Sequence, residues 1–134
     1  MLRRRGFSLM EITAAGILLV AMLAVCLQLF RATALQRRGL QARRIATQEA
    51  ANVMERLCAR SWEQLTPEAV GDAQLSQEAQ QAIPGAELKV DVAQPGDDPN
   101  ERRITVVVRW HAGPGQPDSS VRLVAWRYHV SEGH

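Results

Sequence analysis

The sequence predicts an α+β protein in which one long N-terminal helix packs on a small antiparallel β-sheet. Three observations carry that expectation. An apolar run extends from Ile12 to Phe30 behind three arginines, a weaker apolar stripe at helical spacing continues to Leu57 with no proline before Pro67, and three late segments alternate apolar with polar residues.

The 19 residues from Ile12 to Phe30, with Phe7 to Met10 added, are long enough at about 1.5 Å per residue to cross ~30 Å of hydrocarbon. Thr13, Gly16 and Gln28 are the weak spots of the run. Beyond it, Leu35, Gly39, Ala42, Ala46, Ala50, Val53 and Leu57 recur at steps of three or four, while Arg37, Arg44, Gln48, Glu55 and Arg56 can face elsewhere. The uneven, alanine-rich stripe lacks the repeated Leu or Ile of a coiled coil and suits a helix laid on a domain. Thr66-Pro67 is the expected stop zone. Residues 66 to 86 lack a firm period and read as a connecting loop, with a helical turn from Glu78 to Ile83.

Leu88, Val90 and Val92 then alternate with charged residues, as a half-buried strand requires. Ile104, Val106, Val108 and Trp110 repeat the pattern, with Val107 apolar on the opposite phase. Val121 to Val130 forms a third strand whose inner face is ambiguous, because Leu123 and Ala125 compete with Val124, Trp126 and Tyr128. Turn-rich segments at Pro95-Gly96-Asp97-Asp98-Pro99-Asn100 and Gly113-Pro114-Gly115-Gln116-Pro117-Asp118 join the strands into a meander. The resulting organisation is residues 1–6, a membrane-type helix over 7–30, an amphipathic continuation over 31–64, and a loop with a small sheet over 65–134.

With 134 residues in all, and about 55 given to the N-terminal stretch and helix, only ~75 to 80 remain for a globular part, which leaves little room for a large active-site cleft. Residues 1–44 carry eight Arg and one Glu, whereas residues 45–134 carry eight Lys or Arg against thirteen Asp or Glu, a balance of −5 that the overall +2 conceals. An acidic domain argues against a nucleic-acid partner, since that affinity comes largely from neutralising phosphates. Cys26 and Cys58, if on one continuous helix, lie ~48 Å apart and cannot form a disulfide.

Glu11 is the informative residue. A carboxylate near the end of a membrane-type helix costs less than the ~2.5–3.5 kcal/mol assigned to charges at the centre, but it still calls for a partner, and no basic residue lies within the run. Cleavage of the chain after Gly6 would create one. The freed α-amino group of Phe7, with an ordinary pKa of about 7.7–8.0, would be mostly cationic at neutral pH. Phe7 and Glu11 are one helical turn apart, so ammonium and carboxylate can meet within one chain or between neighbours displaced along a common axis.

The segment Arg3-Arg4-Arg5-Gly6-Phe7-Ser8-Leu9-Met10-Glu11 resembles the class III signal of type IV pilins and type II secretion pseudopilins. In that superfamily a basic leader ends in Gly, the next residue becomes N-methylated after cleavage, and a Glu stands fifth in the mature chain. Gly6, Phe7 and Glu11 match those positions one for one. Ala50-Asn52-Val53-Met54-Glu55-Arg56-Leu57 with Ser61-Trp62, and the strand Arg103-Ile104-Thr105-Val106-Val107-Val108-Arg109-Trp110, look like minor pseudopilins of the I type or minor pilins of the V type. Two departures from the major pilins point the same way: Gln28 stands near where their transmembrane proline falls, and there is no C-terminal cysteine pair.

The resemblance implies a pilin-like fold and a set of roles. Arg3, Arg4 and Arg5 would be recognised as leader by a prepilin peptidase, Gly6 and Phe7 would flank the cut, Phe7 would be methylated, and Glu11 would serve assembly. It also implies a single-pass subunit of the bacterial inner membrane with a periplasmic C-terminal domain, extracted into a filament with other pilins or pseudopilins for protein secretion, pilus biogenesis or DNA uptake. The charges do not fix that orientation by themselves, because Arg31, Arg37, Arg38, Arg43 and Arg44 after the run balance or outweigh the three before it.

Two other readings of the N-terminus exist. Arg4-Arg5-Gly6-Phe7 fits the heart of a twin-arginine export signal, with Ala32-Thr33-Ala34 as a cleavage site, although Glu11 and Arg31 are misplaced for it and the cut would divide the long helix. A plain single-pass anchored binding protein is the other. Catalysis has no visible residues: His111, His129 and His134 are scattered, and no nucleophile grouping, metal-ligand spacing or phosphate loop is present. No cofactor and no small-molecule substrate are expected. Asp97-Asp98-Pro99-Asn100-Glu101 offers oxygen ligands in a row but lacks the EF-hand pattern and reads as a solvated turn. Trp62, Trp110, Trp126 and Tyr128 are expected mainly in the core of so small a domain, with Trp126 the one best placed for a partner.

Overall fold

The computed structural model describes residue 6 and residues 8–130. The order of elements is α1 (Leu9–Cys58), a short 3-10 turn (Trp62–Gln64), α2 (Gln77–Ala82), β1 (Glu87–Ala93), β2 (Glu101–Trp110) and β3 (Ser119–Tyr128). The chain divides into two compact units, one ending at Arg38 and the other beginning at Gly39.

α1 starts where the carbonyl of Ser8 accepts the amide protons of Glu11 at 2.9 Å and Ile12 at 3.2 Å. Its sequence is rich in Ala, Leu, Met and Arg and free of proline, which sustains 50 residues without a break. The helix ends at Cys58, six residues short of the expected boundary at 64. Side chains that cap the segment beyond Cys58 account for the early stop. Ser61 and Gln64 form a reciprocal capping box around the 3-10 turn. Three guanidinium groups take up carbonyls of the segment after Cys58: Arg127 donates to Arg60, whose carbonyl a helix reaching residue 64 would have used, Arg102 to Trp62 and, at 2.8 Å, to Leu65, and Arg60 to Ala69 at 2.6 Å. A corner built this way satisfies its backbone without helical hydrogen bonds.

α2 forms where the helical turn is expected, capped by Ser76, whose hydroxyl accepts from the Ala79 amide at 3.2 Å. The strands make one sheet in the order β1-β2-β3, antiparallel throughout. Glu87 to Ala93 pair with Arg109 to Arg103, and Glu101 to Trp110 pair with Tyr128 to Ser119, without a bulge in either ladder. The β2–β3 loop turns through Gly115, whose φ of 76° suits a residue without Cβ.

The core belongs to the second unit. Ala46, Ala50, Val53 and Leu57 of α1 meet Ile104, Val106, Val108 and Trp110 of β2 and Val92 of β1, while Leu65, Val70, Leu75, Ala79 and Ile83 close the sides. The long helix thus packs on a three-stranded antiparallel sheet, as the α+β expectation states. Two details differ from it. Leu35 and Gly39, placed in the apolar stripe by spacing, are exposed; the buried stripe opens with half-buried Ala42 and Ile45 and is completed by Ala46. β3 resolves its ambiguous phase in favour of Val121, Leu123 and Ala125, which are half-buried, and turns Val124, Trp126 and Tyr128 outward.

Candidate assembly site on the apolar helix

Glu11 lies in the first turn of α1, where the positive end of the helix dipole favours a carboxylate. It is exposed, and Gly6, a few residues before it, has open space around its Cα. Arg3, Arg4, Arg5 and Phe7, the other members of the expected processing site, lie outside the described residues. The pairing of Glu11 with a cation at residue 7 therefore stands as a sequence expectation.

From Leu9 to Leu40 the helix exposes its large side chains. Ile17, Leu18, Val20, Met22 and Phe30 are all at least two-thirds exposed, and no residue of the most apolar 18-residue window is buried. The segment is long and apolar enough to cross a bilayer. Its hydroxyls are internally satisfied: Thr13 donates to the carbonyls of Leu9 and Met10, and Thr33 to those of Leu29 and Phe30, at 2.9 to 3.2 Å. A Ser or Thr that bonds back to its own helix can lie against apolar surroundings without leaving an unmade hydrogen bond. Thr13, Gly16, Ile17 and Val20 outline a shallow open groove on this surface.

The second unit holds side chains whose roles spacing did not reveal. Glu49, only 9% exposed, sits within the buried stripe of α1 and accepts the Ser76 amide proton at 3.1 Å, tying the helix to the start of α2. Its place between Ala46 and Ala50 was the available signal, since a carboxylate on a core-facing stripe requires a partner. Arg102 lies over the Trp62 ring, 4.3 Å from its centroid, and His129 packs on the same ring at 5.2 Å.

The aromatics divide differently from the expectation of a mainly aromatic core. Trp110 is buried and Trp62 is half-buried, but Trp126 and Tyr128 are 49% and 60% exposed, because the outer face of β3 has no covering layer. The Tyr128 hydroxyl donates to Glu101 at 3.0 Å, and this bond with the adjacent negative charge holds the phenol pKa above its ordinary value. His111 forms an exposed contact with Asp118 at 2.8 Å, and His129 follows the end of β3 instead of lying within it. In the acidic turn, Asp98 accepts the Asn100 amide at 2.8 Å, and among the described residues no group of three or more His, Cys, Asp or Glu could hold a metal ion. Both cysteines are free and exposed.

Comparison with known protein families, with curated proteins and with solved structures finds no match for this chain.

Proposed function

We propose that the protein is a minor pilin-like, or pseudopilin, subunit. Its leader, residues 1–6, is removed by a prepilin peptidase, Phe7 is methylated, and the subunit waits in the bacterial inner membrane with residues 39–134 in the periplasm. Assembly into a filament for protein secretion or pilus biogenesis then buries the apolar helix among like helices. The Phe7 ammonium and the Glu11 carboxylate, at the i and i+4 positions, set the axial position of each subunit as it enters. Other pilins or pseudopilins, the peptidase and the membrane are its partners. No cofactor takes part.

The observation that carries this reading is the conjunction at Glu11. A single carboxylate stands in the first turn of a helix whose apolar side chains remain exposed for more than 20 residues, and it stands five residues after a Gly that ends a run of arginines. A plain membrane anchor gains nothing from that carboxylate and incurs its desolvation cost.

The experiment is mass spectrometry of the N-terminus of the native protein. A chain beginning at methylated Phe7 supports the proposal, Leu35 at the N-terminus replaces it with twin-arginine export, and intact Met1 replaces it with a simple anchor. Replacing Gly6 blocks processing, and Glu11→Ala leaves processing intact while stopping assembly. Assembly at the parent level by Glu11→Ala would remove the pairing mechanism.

A further inference from the structure

We propose that the outer edge of β3 is a docking site for an extended, carboxylate-bearing strand of a partner polypeptide, which adds to the sheet beside β3. The site lies wholly within residues 39–134 and does not depend on what happens at the N-terminus.

Three independent observations lead there. First, β3 is a terminal strand of ten residues that uses only its β2 side for pairing, with unbroken register and no proline. Proteins ordinarily blunt such an edge with charge, proline, bulges or shortness. The opposite edge shows what that looks like: β1 has seven residues, and the side chains on its outer face include Glu87, Lys89 and Asp91. β3 offers Val124, Trp126 and Tyr128 on the same face. Second, apolar exposure is concentrated there. Outside α1, the exposed large hydrophobic residues among the described ones are Val124, Trp126, Tyr128 and Val130, all on β3 or two residues beyond it.

Third, the charge beside the stripe selects the partner. Arg122 is exposed on the outer face of β3, and Arg103 of β2 stands opposite Trp126 in the register. The Arg103 guanidinium lies 5.9 Å from the Trp126 ring, and its Nε is shielded from solvent without a hydrogen-bond partner among the described residues. A guanidinium that lies on the middle strand beside the Trp126 ring of the edge strand, with an N–H left unpaired among the described residues, is completed by a carboxylate reaching over β3, which accepts in the planar geometry arginine presents. Glu101 faces the same side but is engaged by Tyr128, so partner carboxylates belong nearer Arg103 and Arg122. A second copy adding its own β3 brings Arg122 and Arg127 and no acid, so the charge favours a different, acidic strand. Main-chain bonds to the β3 edge supply affinity in this mode of recognition, and alternate side chains supply specificity.

The test uses the full chain in nonionic detergent micelles and two nine-residue synthetic peptides, one alternating threonine with glutamate and the other threonine with lysine. The expected result is saturable binding of the glutamate peptide, at least about tenfold weaker binding of the lysine peptide, and slowed amide hydrogen exchange in residues 119–128 but not in 87–93. Arg122→Glu and Trp126→Ser, both at exposed positions, should keep the parent unfolding transition and each weaken the glutamate peptide about tenfold. Equal binding of the two peptides, no binding, or protection confined to β1 would overturn the proposal. So would peptide-independent dimers in sedimentation that Trp126→Ser dissolves, which would make a second copy the occupant. None of these outcomes bears on whether the chain is cleaved after Gly6.

Discussion

α1 contains two stretches that treat apolar residues in opposite ways. Between Leu9 and Arg38 the helix carries Ile, Leu, Met and Phe on every side and buries none of them; between Gly39 and Cys58 it buries Ala46, Ala50, Val53 and Leu57 along one narrow stripe. The stretch with more hydrophobic surface is thus the one without a protein core. Burial in water follows from a stripe that matches another surface, whereas apolar character on every side suits surroundings that are themselves apolar. Ala46 and Ala50, both at 0% exposure, show what the second stretch is built for: small apolar side chains that lie wholly inside the core.

That contrast can be broken by substitution, and the largest effect belongs to the buried stripe. Leu57→Ala is expected to destabilise the folded domain by about 3 kcal/mol, within the range for fully buried leucines, and Leu18→Ala by less than ~0.5 kcal/mol, as at exposed positions. Urea unfolding of the full chain in micelles compares them; equal losses would erase the distinction between the stretches.

The corner after Cys58 comes next. Arg102→Ala removes two charge-assisted hydrogen bonds and the contact with Trp62, an expected loss of about 2–3 kcal/mol, and Arg102→Lys recovers only part of it because a lysine cannot reproduce the planar fork. Full recovery by lysine would show that charge alone suffices there. For Glu49→Ala, which leaves the shielded Ser76 amide without its acceptor, the same unfolding experiment is expected to read a loss of about 1–2 kcal/mol, with Glu49→Gln losing less.

The smallest effect lies at the sheet's exposed end. Tyr128 is held neutral by Glu101, so its pKa is raised in the folded chain relative to the unfolded one. A raised folded-state pKa means that the bond's contribution to stability is fully present below the ordinary tyrosine value and is lost as pH rises through the raised one. Spectroscopic titration should therefore show Tyr128 ionising at a lower pH in Glu101→Gln than in the parent, and the small stability difference between the two should be present near neutrality and fade as pH rises through the raised value. An unchanged titration curve would mean that the hydrogen bond does not persist in solution.

The elements with a clear period were legible in the sequence. The Ile104-Val106-Val108-Trp110 face and the stripe Ala46-Ala50-Val53-Leu57 are fixed by repeats of two and of three to four, because each lies against a single core. β3 was not legible in the same way. Val121, Leu123 and Ala125 are no more apolar than Val124, Trp126 and Tyr128, so the decision was made by the partners across the ladder, where Ile104, Val106 and Val108 already face inward. The end of α1 was hidden for a similar reason. Nothing in Ala59-Arg60 forbids a helix; the Arg60 carbonyl is claimed by Arg127, and those of Trp62 and Leu65 by Arg102, both residues far along the chain. At the candidate assembly site, sequence spacing supplies the Phe7–Glu11 relation, and the folded chain adds that Glu11 occupies the first turn of a helix with an uncovered apolar surface.

Thr13 and Thr33 each return their hydroxyl proton to a carbonyl of the preceding turn. Hydroxyls closed onto their own backbone need no partner in apolar surroundings, so on the proposed function these bonds would stay intact both in acyl chains and in a bundle of sibling helices. Under the proposed function the cost of that transfer would fall on Glu11 and on the Gln28 amide, the charged and amide side chains between Leu9 and Phe30.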